Sequence, residues 1–234
     1  MSLFCYDRGM IKGILFDYDG TLSKRYEAAY QMYRYMLHFL RPDFDTHSLN
    51  FETAVQRCLL WDEFGSISKD HVFSLIQKNY VPDVNFDLLK TIWLEKFAEY
   101  QVLIPGVEEI LPLLKEKYKL GVLSNGDARS QKEKIHSTGV DAYFDVIVVT
   151  GEYGLNKPDP RIFLIAAEKM GLKPQEIVFV GDTFATDIYG AIHAGMKPVW
   201  FLYKRRGITQ YPVMTVSSYE QIKHIFLEDT AWME

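Results

Sequence analysis

Five short apolar runs set the terms for this chain: Ile11–Phe16, Leu120–Leu123, Val146–Val149, Ile177–Val180 and Val199–Leu202. Each is rich in Val, Ile, Leu or Phe with little polar alternation, the pattern of strands covered on both faces. Helix-compatible stretches lie between them, over residues 107–118, 130–138, 160–170 and 186–194. Gly139, Gly171 and Gly195 follow three of these stretches, where a left-handed residue closes a helix. Strand, helix and strand in repetition predict an α/β core, a parallel sheet with helices on both faces. A last strand near Met214–Val216 and a helix after it would close that core.

One connection breaks the rhythm. Between the first and second strands lie about 80 residues with no convincing strand, too long for a structureless loop. Helical spacing fits 24–40, 49–64, 69–80 and 86–100, punctuated by Pro42 and Pro82. Tyr26, Tyr30, Tyr33, Leu37 and Leu40 suggest one apolar stripe, and Phe86, Leu89, Trp93, Phe97 and Tyr100 another. The expected organisation is an α/β core from 10–22 and 102–234 and an inserted all-α domain at 23–101. Residues 1–9 are expected to be an N-terminal extension or an expression scar.

Composition narrows the function classes. Hydrophobic residues make up 48% and charged residues 24%, a globular balance. Lys and Arg number 26 against 31 Asp and Glu, so the formal charge is −5, which disfavours a nucleic-acid partner. No apolar run approaches the roughly 18 residues a membrane helix needs. Cys5 and Cys58 are too few for a disulfide framework and read as reduced thiols of a cytoplasmic protein.

Four segments at the ends of strands carry the polar chemistry. Asp17-Tyr18-Asp19-Gly20-Thr21 follows the first strand, and on an extended chain Asp17 and Asp19 share a face while Tyr18 points away. Ser124-Asn125-Gly126 follows the second, where a hydroxyl, an amide and backbone N–H groups are suited to phosphate oxygens. Asn156-Lys157-Pro158-Asp159-Pro160 precedes a helix, and Gly181-Asp182-Thr183 with Asp187 follows the fourth strand. Singly, each has a plainer reading: an Asp-Gly turn, a strand-to-helix turn, a surface lysine, helix-capping aspartates. A nucleotide P-loop fails, because Asp127 and Ala128 stand where Lys and Ser or Thr are required.

Together the four map to one edge of one sheet. Carboxylates crowded there repel unless a cation sits among them, and oxygen-only ligands suit Mg²⁺ accompanied by a phosphate. These motifs, in this order, resemble those of the haloacid dehalogenase (HAD) superfamily. The resemblance spans residue 10 to about residue 207, and the helical insertion resembles that superfamily's α-helical type-1 cap. It implies a Rossmann-like core and a phosphatase using Mg²⁺.

By that resemblance Asp17 is the nucleophile, forming an aspartyl-phosphate. Asp19 protonates the leaving oxygen, then deprotonates the attacking water, and its backbone carbonyl helps hold the metal. Lys157 steadies the nucleophile and the transferring phosphoryl group. Thr21 supports the first loop by hydrogen bonding, while Ser124, Asn125 and Gly126 bind the phosphoryl group. The metal is held by Asp17, Asp19 and Asp182, with Asp187 orienting the site from its edge. Dehalogenases of the superfamily lack the second aspartate of the first motif, so Asp19 favours phosphoryl over carbon–halogen chemistry.

The leading expectation is a Mg²⁺-dependent phosphatase acting on a small phosphorylated substrate, a sugar phosphate or nucleoside monophosphate, as a monomer or homodimer. A phosphomutase of the β-phosphoglucomutase type is the nearest alternative. A non-catalytic binding module on the same fold is the other. Arg25, Tyr26, Tyr30 and Arg34 are candidates to face substrate, although the tyrosines weigh towards the bundle core and the arginines towards the surface. Residues 23–25 and 102–105 are the expected hinges of a moving lid.

Overall fold

The computed structural model describes residues 10–228, so Cys5 and the expected N-terminal extension lie outside the described residues. Six strands form one sheet: β1 (Gly13–Phe16), β2 (Lys119–Ser124), β3 (Val146–Val149), β4 (Ile177–Gly181), β5 (Lys197–Phe201) and β6 (Met214–Val216). Their order is β3-β2-β1-β4-β5-β6 and every pairing is parallel. The expected Rossmann-like α/β core is therefore present. The winding reverses on either side of β1, which pairs with both β2 and β4. Ligands of open parallel sheets bind beyond the strand ends at such a reversal.

Period-two alternation divides the strand residues between two cores. Ile14, Phe16, Val122 and Val180 pack in one, with Leu111 of α5 (Val107–Lys115), Ile135 of α6 (Ala128–Ser137) and Ile222 of α9 (Tyr219–Leu227). Leu15 and Phe179 pack in the other, with Phe163 and Ala166 of α7 (Pro160–Met170) and Ala191 of α8 (Tyr189–His193). The stretch expected as one helix over 186–194 opens instead with a π-helical turn, Phe184–Ile188, before α8. Turns of that kind recur at functional sites, and this one carries Asp187.

Residues 24–102 form a second compact unit. It contains α1 (Arg25–Leu40), α2 (Leu49–Asp62), α3 (Lys69–Tyr80) and α4 (Phe86–Lys96), which runs into a 3₁₀ turn at Phe97–Tyr100. Ser23 bridges Leu103 in antiparallel fashion and the Ile104 amide donates to the Leu22 carbonyl at 2.9 Å, so both junctions belong to the sheet unit. One step further in, the Lys24 amide donates to the Val102 carbonyl at 2.7 Å.

The buried stripe of α1 differs from the one its tyrosines suggest. Ala28, Ala29, Met32, Tyr33, Met36 and Leu37 are buried, whereas Tyr26 is exposed and Tyr30 and Leu40 are only partly covered. A tyrosine tolerates the edge of a core because its hydroxyl remains wet, while the methionines fill the interior. Arg25, expected at the surface, is buried. Its guanidinium donates to Asp62 at 2.7 Å, the Tyr33 hydroxyl reaches the same carboxylate at 2.9 Å, and Lys69 also pairs with it.

Candidate active site

The site begins where β1 ends. The Asp17 amide continues the ladder by donating to the Val180 carbonyl at 2.9 Å, and Gly20 then turns the chain with φ +87°. Tyr18 points away from the two aspartates and is fully buried, its hydroxyl donating to the Lys134 carbonyl at 2.8 Å. Thr21 supports this loop through its backbone: its carbonyl accepts from the buried Tyr219 hydroxyl at 2.9 Å. Among the described residues the Thr21 hydroxyl is buried without a hydrogen-bond partner.

Asp17, Lys157, Asp182 and Asp187 come together, all buried. The Lys157 ammonium lies 2.6 Å from Asp17 and 2.8 Å from Asp187. Asp17, Asp182 and Asp187 present carboxylate oxygens that all lie within 4.8 Å of one another. Asp182 is further fixed by the Trp200 indole N–H, which donates to its carbonyl at 2.9 Å, and by an ion pair with Arg205. The Asp187 carboxylate turns back to accept from the Thr183 amide at 2.9 Å.

Three buried carboxylates against so few cations are electrostatically costly. Burial, with repulsion from Asp187 and Asp182, pushes the Asp17 carboxyl up to about 8 even though Lys157 opposes the rise. Burial and the neighbouring Asp187 raise Asp182 to about 6 against the pull of Arg205. Lys157 moves the other way: Asp17 and Asp187 outweigh its burial and hold its ammonium above the usual lysine range. A divalent cation among the carboxylates would remove the repulsion, and this all-oxygen donor set suits Mg²⁺. The third carboxylate of the group is Asp187 rather than Asp19.

The Asp19 carboxylate is engaged elsewhere. It pairs with Lys134, which is itself buried, and accepts from the Gln131 amide at 2.9 Å. The same Gln131 nitrogen lies 2.5 Å from the Ser124 hydroxyl and 2.7 Å from the Asn125 carbonyl, so its two hydrogens are shared among three acceptors. Gln131, Lys134 and Arg205 escaped the sequence reading. Their one signal is that Gln131 and Lys134 fall on the Ile135 face of α6, where a lysine and a glutamine are out of place in a core.

The second motif is more structural than expected. The Asn125 side-chain amide clamps the backbone of Lys157, accepting from its N–H at 2.9 Å and donating to its carbonyl at 3.2 Å. The Gly126 amide, expected to serve a phosphate, donates to the Thr150 hydroxyl at 3.1 Å. Asp159 caps α7 by accepting from the Arg161 amide at 2.9 Å, and the Lys157–Pro158 peptide is cis.

Residues 11–195 match the model of the haloacid dehalogenase-like hydrolases. The chain is 33% identical over 207 residues to a glyceraldehyde 3-phosphate phosphatase of Pyrococcus abyssi, covering 83% of this chain and 82% of that one. It is 32% identical over 142 residues to the pyrimidine 5'-nucleotidase YjjG of Escherichia coli, covering 58% and 62% respectively. The fold matches that of YfnB, a magnesium-bound putative HAD-hydrolase of Bacillus subtilis. The TM-score is 0.74 at 23% identity, covering 93% of this chain and 99% of that one.

Proposed function

The chain belongs to the haloacid dehalogenase-like hydrolases and is a phosphatase of that family, and from that premise we propose the substrate class and the division of labour in its site. The substrate is a small phosphorylated metabolite, a sugar phosphate or a nucleoside monophosphate. The two relatives named above act, by their names, on a triose phosphate and on pyrimidine nucleotides. The observation that carries this reading is Asp17 itself. It is buried at the sheet's switch point, held 2.6 Å from Lys157 and faced by Asp182 and Asp187.

Asp17 attacks the phosphorus of the ester; the bond to the leaving oxygen breaks as Asp19 donates a proton to it. Asp19 then takes a proton from water, whose oxygen attacks the phosphorus, and the Asp17–phosphorus bond breaks to release inorganic phosphate. Splitting one displacement into two is the gain of the covalent route. Lys157 sets the position of Asp17 and offsets charge on the transferring group. Ser124, buried and bonded to Gln131, binds the phosphoryl group in this reading, and Asn125 acts by fixing the Lys157 backbone. Mg²⁺, when held by Asp17, Asp182 and the Asp19 carbonyl, would keep Asp17 ionised and neutralise phosphoryl charge. The helical unit at 24–102 supplies the cap that selects the rest of the substrate, and the enzyme works in the cytoplasm.

The test is phosphate release with Mg²⁺ from a panel of triose, hexose and nucleoside phosphates. It is paired with acid quenching of the enzyme on ³²P-labelled substrate. Label retained by the wild type and absent from Asp17→Asn is expected. Phosphate release by Asp17→Asn at the wild-type rate would overturn the covalent route. A hexose 1-phosphate returned as its isomer would identify a mutase.

A further inference from the structure

Lysine is among the residues least often buried, because taking its ammonium out of water is costly unless it is paired. Lys134 is 4% exposed, and the carboxylate it pairs with is that of Asp19. Its ammonium also lies 5.7 Å from the centre of the Tyr18 ring, while its carbonyl accepts from the Tyr18 hydroxyl at 2.8 Å. Two consecutive residues of the first loop thus grip one residue of α6, from its side chain and from its backbone. One turn earlier, Gln131 ties the same Asp19 oxygen to the Ser124 hydroxyl.

The consequence concerns where the second aspartate of the loop can go. Asp17 and Asp19 share a face of an extended chain, so without another partner both carboxylates would turn towards the same cation. The structure separates them: Asp17 joins Asp182 and Asp187, and Asp19 is drawn to α6. We propose that Lys134, assisted by Gln131, is a positioning residue that holds the Asp19 carboxylate apart from the Asp17–Asp182–Asp187 group, leaving it available to the leaving oxygen of the ester. This rests on the proton-transfer role assigned to Asp19 above. Lys134 acts through Asp19 and need not touch substrate.

The prediction turns on the leaving group. p-Nitrophenolate departs without a proton, whereas an alkoxide needs one, and general acid catalysis contributes about 10²–10⁴-fold. The experiment compares kcat/KM, which reports transfer to the enzyme, for p-nitrophenyl phosphate and for an alkyl phosphate that the wild type hydrolyses. Lys134→Met is expected to lower the alkyl ester value by about 10²-fold and the aryl value by no more than about threefold. Lys134→Arg should recover most of the loss. Melting curves with Mg²⁺ establish that the variants fold, and Lys134→Gln takes the place of Lys134→Met if the latter does not.

A purely structural lysine would depress both esters alike, and equal losses, or no loss on either, would overturn the proposal. Asp19→Asn serves as the reference. Should Asp19→Asn spare the alkyl ester, the role of Asp19 itself falls. Should Asp19→Asn lose that activity while Lys134→Met keeps it, only the role of Lys134 falls.

Discussion

Asp182 stands where a side chain on Gly20 would have to go. A methyl group at Gly20 would meet the Asp182 carboxylate, and Gly20 also turns the loop with φ +87°, a left-handed conformation. The first and fourth motifs are thereby fitted together, the turn after β1 closing directly on the aspartate after β4. Gly20→Ala is expected to cost about 1–3 kcal/mol through backbone strain alone. It should also displace Asp182 from the carboxylate group. Thermal melting and phosphate release, measured with and without Mg²⁺, check both effects, and a variant indistinguishable from wild type would contradict this packing.

Removing Lys157 strands two buried carboxylates. Its ammonium is within 2.8 Å of both Asp17 and Asp187, and breaking a buried ion pair from one side costs about 3–5 kcal/mol. Lys157→Met should therefore lose stability of that order in EDTA, read by urea denaturation. Added Mg²⁺ should restore part of it by replacing the lost positive charge, while turnover stays below the wild type's.

Acidity should act on the metal-free protein in the direction set by Asp17. Its carboxyl rises from an ordinary 3.8 to about 8 in the folded chain, so between those values the folded state holds a proton that the unfolded state has released. The resulting stabilisation is complete below pH 4 and is lost as the pH climbs through 8. Asp182, raised to about 6, adds a loss of the same sign over a lower range. In EDTA, the melting temperature of the wild type should fall more between pH 5 and pH 8 than that of Asp182→Asn. The stabilisation given by a fixed concentration of Mg²⁺ should be larger at pH 8 than at pH 5. The opposite order would exclude a cation among these carboxylates.

In the helical unit the critical charge is Asp62, held by Arg25, Tyr33 and Lys69. Together these partners pull its carboxyl below the usual range despite burial. Asp62→Asn leaves the buried Arg25 without its anion and should destabilise this unit by about 3–5 kcal/mol. Hydrogen exchange should then quicken in α1 and α2 while amides of β1 and β4 keep their protection.

Most of the sheet was legible because strands buried on both faces have little choice of composition. Ile14, Leu15 and Phe16 face two different cores, so all three are apolar and the run stands out. Asp17, Lys157, Asp182 and Asp187 could be found because each follows a strand that the eye already has. Gln131 and Lys134 could not be assigned, since a polar pair on the Ile135 face of α6 does not say which carboxylate it meets, and Asp19 lies 115 residues from Lys134. Arg205 was hidden for the same reason, in a loop after β5. The stripe of α1 is ambiguous in the sequence because tyrosine is both apolar and polar. Tyr33 is buried and Tyr26 is exposed, and spacing alone gives them equal standing.

The paired junction at Ser23 and Leu103 has an architectural consequence. The chain leaves the sheet unit and re-enters it at two residues paired across an antiparallel bridge, flanked by the Ile104–Leu22 bond on one side and the Lys24–Val102 bond on the other. A segment spliced in at so narrow a gap can be lengthened, shortened or exchanged for another without moving any of the six strands. That makes this junction the natural place to graft a foreign segment into the same six-stranded framework.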